Sequence, residues 1–99
     1  MERGAKMSVT RINEFRAIPG SSSLLRDCIE SFVPIIESSA DCLSCQLLQS
    51  QKDPNHIIVI EVWGSIEAHQ ASLKNVPPEV FHQTRKFLAA PPTGEYYDR

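Results

Sequence analysis

The run Ile57-Ile58-Val59-Ile60-Glu61-Val62-Trp63 restricts the fold more than any other stretch of the chain. β-Branched and aromatic residues at this density read as a strand, and the run is far too short to cross a bilayer. Alternate strand residues face opposite ways. Ile57 and Val59 therefore look to one side, and Ile58, Ile60 and Val62 to the other. A strand with one wet face would alternate apolar with polar; here both faces call for burial. Each aliphatic side chain left in water forfeits roughly 1.5–3 kcal/mol, a large loss against a total stability of about 5–15 kcal/mol. A chain of 99 residues builds one domain, whose helices can cover one sheet face. A second copy of the chain, related by a twofold axis, is the expected cover for the other. The alternative is a C-terminal segment that wraps that face.

The remaining elements follow from punctuation and period. Met7 to Ile18 reads as a strand ending at Pro19-Gly20. Its residues Ile12, Phe15 and Ile18 recur every third position, so a bulge is expected there, with a helix as the competing reading. From Ser23 to about Ser39, Leu25, Cys28, Ile29, Phe32, Val33 and Ile36 form one helix face. Ser22 or Ser23 is placed to cap it, and Pro34 to kink or break it. Cys42 to Gln51 is a strand with Leu43, Cys45 and Leu47 on one parity. Asp53-Pro54-Asn55 suits a type I turn into the strand His56 to Trp63. Ser65 caps a short helix to about Leu73. Pro78 opens another through Val80, Phe81, Thr84, Phe87 and Leu88, and Thr93 to Tyr97 is a last strand. The expected fold is α+β, a ferredoxin-like split βαββαβ with an antiparallel four-stranded sheet. Residues 1–6 are expected to be poorly ordered, and 7–99 to form the single domain.

Hydrophobic residues make up 41% and charged residues 22% of the chain, the balance of a globular protein. A net charge of −2, with scattered Lys and Arg, provides no basic field for nucleic acid. No membrane partner is expected. Three cysteines and no secretion signal suit a reducing cytoplasm. Cys42 and Cys45 form a C-x-x-C, but strand positions three apart face opposite ways. With Cys28 they read as small buried apolar residues rather than a metal or redox pair.

The segment Val59-Ile60-Glu61-Val62-Trp63-Gly64-Ser65-Ile66-Glu67-Ala68-His69 resembles the signature of the antibiotic biosynthesis monooxygenase family, in which a strand ends in Glu-x-Trp and a Ser-capped helix opens with Glu-Ala-His. Asp41-Cys42-Leu43 resembles that family's Gly-Cys-Leu strand, with Asp41 in place of glycine. The resemblance runs from about Met7 to Leu88. It implies a homodimer closed into a dimeric α/β barrel, with a pocket between sheet and helices in each subunit. It further implies oxidation of a quinol or hydroxylated aromatic by O2 with no cofactor and no metal. A non-catalytic ligand-binding or stress-related module is the alternative, and a haem-degrading branch a third. For haem, Asn13 and His82 match two expected positions, but Ser72 stands where the second Trp belongs.

Such chemistry needs a base for the phenolic proton, a donor for the resulting anion, and walls that exclude water. His69, one turn into its helix, has the imidazole to serve as base. Trp63 is either a pocket wall with an indole donor or a core aromatic. Glu61, on the same strand face as Trp63, contacts substrate or makes a structural pair across the sheet or the dimer. His82 is a second base candidate, and Asn13 and Arg85 are candidate donors to an anionic oxygen. Phenol-oxidising relatives tend to carry an amide side chain where Val59 stands.

Overall fold

The turn predicted at Asp53 organises the centre of the sheet. In a computed structural model that describes residues 8–99, the His56 amide donates to the Asp53 carbonyl at 2.9 Å. The Asp53 carboxylate also accepts from the Asn55 amide at 3.1 Å. This turn joins β2 (Cys42–Gln49) to β3 (His56–Trp63). The other strands are β1 (Val9–Arg16) and β4 (Thr93–Tyr97), and the helices are α1 (Ser22–Glu37), α2 (Ile66–Ser72) and α3 (Pro78–Arg85). A 3₁₀ turn at Leu73–Asn75 follows α2. All strand pairs are antiparallel, in the order β2-β3-β1-β4, so the fold is the ferredoxin-like arrangement. The expected disorder of residues 1–6, and Met7 as the start of the domain, lie outside the described residues.

β3 alternates as its sequence requires. Ile57, Val59, Glu61 and Trp63 are buried, whereas Ile58, Ile60 and Val62 are only half-buried. The helices cover the first row: Leu25, Ile29, Phe32 and Ile36 of α1 join Ile57, Val59 and Trp63 in one core. The second row belongs to a face without helices, where Leu48 and Tyr97 are exposed. The C-terminal segment does not wrap that face; it becomes edge strand β4 beside β1.

Several local expectations are corrected. β1 has no bulge, and its pairing with β3 runs unbroken from Val9↔Trp63 to Arg16↔His56. The threefold spacing arises because Ile12 lies on the helix-free face, opposite Ile60, and Phe15 on the other, opposite Ile57. The irregularity is in β2, between Cys42 and Ser44. It turns Leu43 out to 61% exposure, so Leu43 does not share the parity of Cys45 and Leu47. It also brings Cys42 and Cys45, opposite Trp63 and Glu61, to the same sheet face. Burial, and then the nearby Glu61 carboxylate, pushes the Cys45 thiol up to about 12, which suits an inert buried thiol. All three cysteines are free.

The residue in the cap position before α1 is Ser21, which makes no side-chain cap; Ser22 and Ser23 lie inside the helix. Pro34 neither breaks nor ends it, for the helix runs on to Glu37. The proline lies near the helix end on its exposed side, where one missing donor costs little and water can serve the freed carbonyl. α3 stops at Arg85 because Leu88 is drawn into a bridge with Ala17. Ser65 caps α2 as expected, accepting from the Ala68 amide at 3.1 Å.

Asp41 enters β2 with φ of +65°, the left-handed region that favours glycine. Asp41→Gly is therefore expected to leave stability unchanged or raise it by up to about 1 kcal/mol, while Asp41→Val lowers it. Urea unfolding of the variants checks this; a clear loss in Asp41→Gly would contradict it.

Candidate active site

Strand alternation places one carboxylate in the buried row of β3. Glu61 is 4% exposed, and a charge so far from water requires partners. Trp63, two residues along the same face, donates its indole N–H to Oε1 at 2.8 Å. Asn13, from the neighbouring β1, donates its amide N–H to Oε2 at 2.7 Å. Burial nevertheless raises the carboxyl above its ordinary range, against the pull of Trp63, Asn13 and the charge of Arg11.

His69 comes to this carboxylate from α2. The Ser65 cap fixes the first turn, and His69 lies one turn later on the buried side, 6% exposed. Its Nε2 is 3.8 Å from Glu61 Oε1, near but beyond hydrogen-bond range. Its Nδ1 shares a 2.6 Å hydrogen bond with the Tyr96 hydroxyl of β4. The ring stands edge-on to both Trp63 and Tyr96, with centroids 5.6 and 5.4 Å away. Burial, and then the positive charge of Arg11, lowers the imidazole below its usual value. His69 is thus neutral at pH 7.

Arg11 is the register partner of both Glu61 and Tyr96, and its guanidinium leans toward the second. It lies 4.7 Å over the Tyr96 ring, and its Nε donates to Asn13 Oδ1 at 3.0 Å. Gly94 makes room for it, since a Cβ there would collide with the guanidinium.

These groups border a cavity of about 360 Å³ between sheet and helices, at the small end of the roughly 300–1,000 Å³ typical of ligand pockets. Arg11, Asn13, Glu61, His69 and Arg85 supply its charged and polar wall. Phe15, Phe32, Val76, Phe81 and Leu88 supply apolar wall, with the Phe32 and Phe81 rings 6.5 Å apart. The arrangement can accept a proton at His69, hold an anion at the arginines, and enclose a flat apolar body.

Of the residues singled out in the sequence, Asn13, Glu61, His69 and Arg85 meet at this cavity. Both functional groups of the Asn13 amide are engaged, by Glu61 and Arg11, so it positions those side chains instead of presenting a free donor. Trp63 is fully buried with its indole donor committed to Glu61, and it is a core aromatic rather than a pocket wall. Glu61 makes the structural pair across the sheet and also borders the cavity. His82 does not join the site. Phe81, Thr84 and Arg85 form the inward side of α3, and the exposed His82 stands with Pro78, Glu79 and Lys86 on a separate groove. Sequence reasoning missed Arg11 and Tyr96. Arg11 shares the parity of Asn13, which was a usable signal; Tyr96 meets His69 only through the β1–β4 register.

With this geometry in view, the similarity to known proteins can be located. The profile of the antibiotic biosynthesis monooxygenase family matches residues 8–86. A candidate antibiotic biosynthesis monooxygenase of known structure, from Chloroflexus aurantiacus J-10-fl, is 32% identical, with 93% of this chain and 92% of that one aligned at a TM-score of 0.72. The chain belongs to the antibiotic biosynthesis monooxygenase family. The fold is shared more widely. A conserved protein from Methanosarcina mazei Go1 aligns at a TM-score of 0.84 and 11% identity, over 97% of this chain and 96% of that one. SnoaB, a cofactor-independent oxygenase from Streptomyces nogalater, aligns at 0.76 and 16% identity, over 94% and 93%. A search of curated proteins finds no significant match.

Trp63→Phe removes one of the donors that favour the Glu61 carboxylate, and should cost about 1–3 kcal/mol wherever Glu61 is ionised. The penalty falls on the ionised form, so it is full above the pKa of Glu61 and fades as pH drops through it. Denaturant unfolding at several pH values tests this. A loss independent of pH would show that packing, not the hydrogen bond, is what Trp63 supplies.

Proposed function

We propose that the protein is a cofactor-independent monooxygenase that oxidises a small quinol or hydroxylated aromatic with O2 in the cavity beside His69. The observation that carries this reading is the placement of His69: buried, held at Nδ1 by Tyr96 and bordering an apolar cavity. A neutral imidazole can take the proton of a phenol whose hydroxyl meets Nε2. In the tautomer this role requires, Nδ1–H donates to the Tyr96 hydroxyl and Nε2 carries the free lone pair. Arg85 is placed to hold the resulting oxyanion, and the aromatic walls keep bulk water from it.

Deprotonation makes the ring electron-rich enough to pass electrons to O2 without a redox centre in the protein. For a phenol with a free para position the balance is phenol plus O2 giving para-quinone plus water. One oxygen atom becomes the new carbonyl. The other leaves as water with the phenolic proton and the para hydrogen. His69 accepts the first of these protons and can return it to the reduced oxygen.

A homodimer forms part of the same proposal. Ile58, Ile60 and Val62 face away from every helix beside the exposed Leu48 and Tyr97, and a second copy laid against them would remove that apolar surface from water. Analytical ultracentrifugation should find a dimer, and Ile60→Lys should dissociate it. A folded monomer at micromolar concentration would contradict this part. Among the described residues no helix is long and apolar enough to cross a membrane.

Oxygen uptake with a panel of naphthols and quinols, in buffer treated with chelator, tests the reaction. His69→Ala should lower kcat by about 10²–10⁴-fold, the range of general acid–base catalysis. Because the His69 pKa is lowered, the base is already free at neutrality. The rate should therefore hold level from pH 8 down past 6.5 and fall only below that. Ligand binding without oxygen uptake across the panel would favour the non-catalytic binding module instead.

A further inference from the structure

Arg11 is fixed more firmly than cavity formation requires. Its Nε is held by Asn13 Oδ1 at 3.0 Å, its Cζ lies 4.7 Å from the centroid of Tyr96, and it lies where a side chain at position 94 would otherwise stand. An arginine on a strand ordinarily extends into water and loses considerable rotamer freedom when ordered. Here that freedom is already gone, and Arg11 lines the cavity. Among the described residues only its Nε has a hydrogen-bond partner, so the donors of both terminal nitrogens remain available.

The carboxylate of the cavity wall does not use those donors. Glu61 is opposite Arg11 in the β1–β3 register, yet its oxygens are taken by Trp63 and Asn13, and the guanidinium leans to β4. Its charge reaches Glu61 and His69 only through space. With His69 neutral, the cavity wall holds one carboxylate, Glu61, against the guanidinium groups of Arg11 and Arg85. No carboxylate of the cavity wall takes the terminal nitrogens of Arg11.

We propose that Arg11 is an anion anchor, and that the ligand of this cavity is an aromatic carboxylic acid whose carboxylate receives the two terminal nitrogens of the guanidinium. A planar fork of donors matches the two oxygens of a carboxylate, and a fork fixed in advance loses little entropy when it binds. The proposal deepens the oxygenase reading of the same cavity and rests on it for the choice of a hydroxylated ring. The favoured substrate is then a hydroxylated aromatic acid, with its carboxylate at Arg11 and its hydroxyl at His69.

Binding can be read without turnover. Calorimetric titration of the whole chain with α-naphthoate and with α-naphthamide compares the same ring with and without charge. The wild-type protein should bind the naphthoate at least tenfold more tightly. Arg11→Gln should erase that preference while changing naphthamide affinity little, and Arg11→Lys should keep part of it. Gly94→Ala keeps the cation but forces it out of place, so it should also lose the preference. It decides the matter if Arg11→Gln does not fold. Equal affinity for the two probes in the wild-type protein, binding of neither, or a full preference in Arg11→Gln or Gly94→Ala would overturn the proposal. The two readings fail separately. Oxidation of uncharged naphthols together with equal probe affinities sinks the anchor alone, whereas a naphthoate preference without oxygen uptake on any phenol sinks the oxygenase alone.

Discussion

A carboxylate set in the middle of an apolar strand row shapes everything around it. Glu61 lies between Val59 and Trp63 on the face that the helices cover, where an isolated charge would cost far more than one residue can return. The neighbouring side chains are arranged to meet that demand. Trp63 turns its indole along the strand, Asn13 reaches across from β1, and Asn13 in turn holds Arg11. What remains is a polar floor under an otherwise apolar cavity. His69 approaches that floor closely enough to feel its charges without being tied to it.

The same β3 strand explains why the cavity exists. Its first row is sealed by α1, which packs on β2 and α3, while α2 packs on β3 and reaches β4 through His69 and Tyr96, and a gap is left between them. Phe32 and Phe81 border that gap from two helices. The short α2 and the 3₁₀ turn after it bring His69 and Val76 to its rim. The second row of β3 has no helix over it, and it supports the proposal that two chains close against each other.

Much of this architecture was legible in the sequence because it rests on strong local signals. Asp53-Pro54-Asn55 fixes the hairpin, Ser65 fixes the start of α2, and the two-sided apolar run fixes the strand that needs two covers. The Glu-x-Trp and Ala-His positions pointed to Glu61 and His69. Less legible were features that depend on tertiary register. The irregularity beside Leu43 carries no glycine or proline to announce it, yet it decides which way Cys42 faces. Tyr96 lies 27 residues beyond His69 and meets it only because β4 pairs with β1. Trp63 was ambiguous for a physical reason: its indole serves equally as a wall or as a donor, and only the position of Glu61 decides between them. His82 looked equivalent to His69 by residue type, but the turn of α3 carries it outside.

Function at this cavity depends on the condition of one imidazole, and NMR can read it directly. ¹⁵N and ¹³C chemical shifts of His69, followed from pH 8 to pH 5 and then with a naphthol added, report its charge, its tautomer and its contact with a ligand. The ring should stay neutral below pH 6.5, keep one tautomer through its bond to Tyr96, and shift when the naphthol enters. A ring that titrates at or above the free-histidine value and ignores the naphthol would contradict this reading.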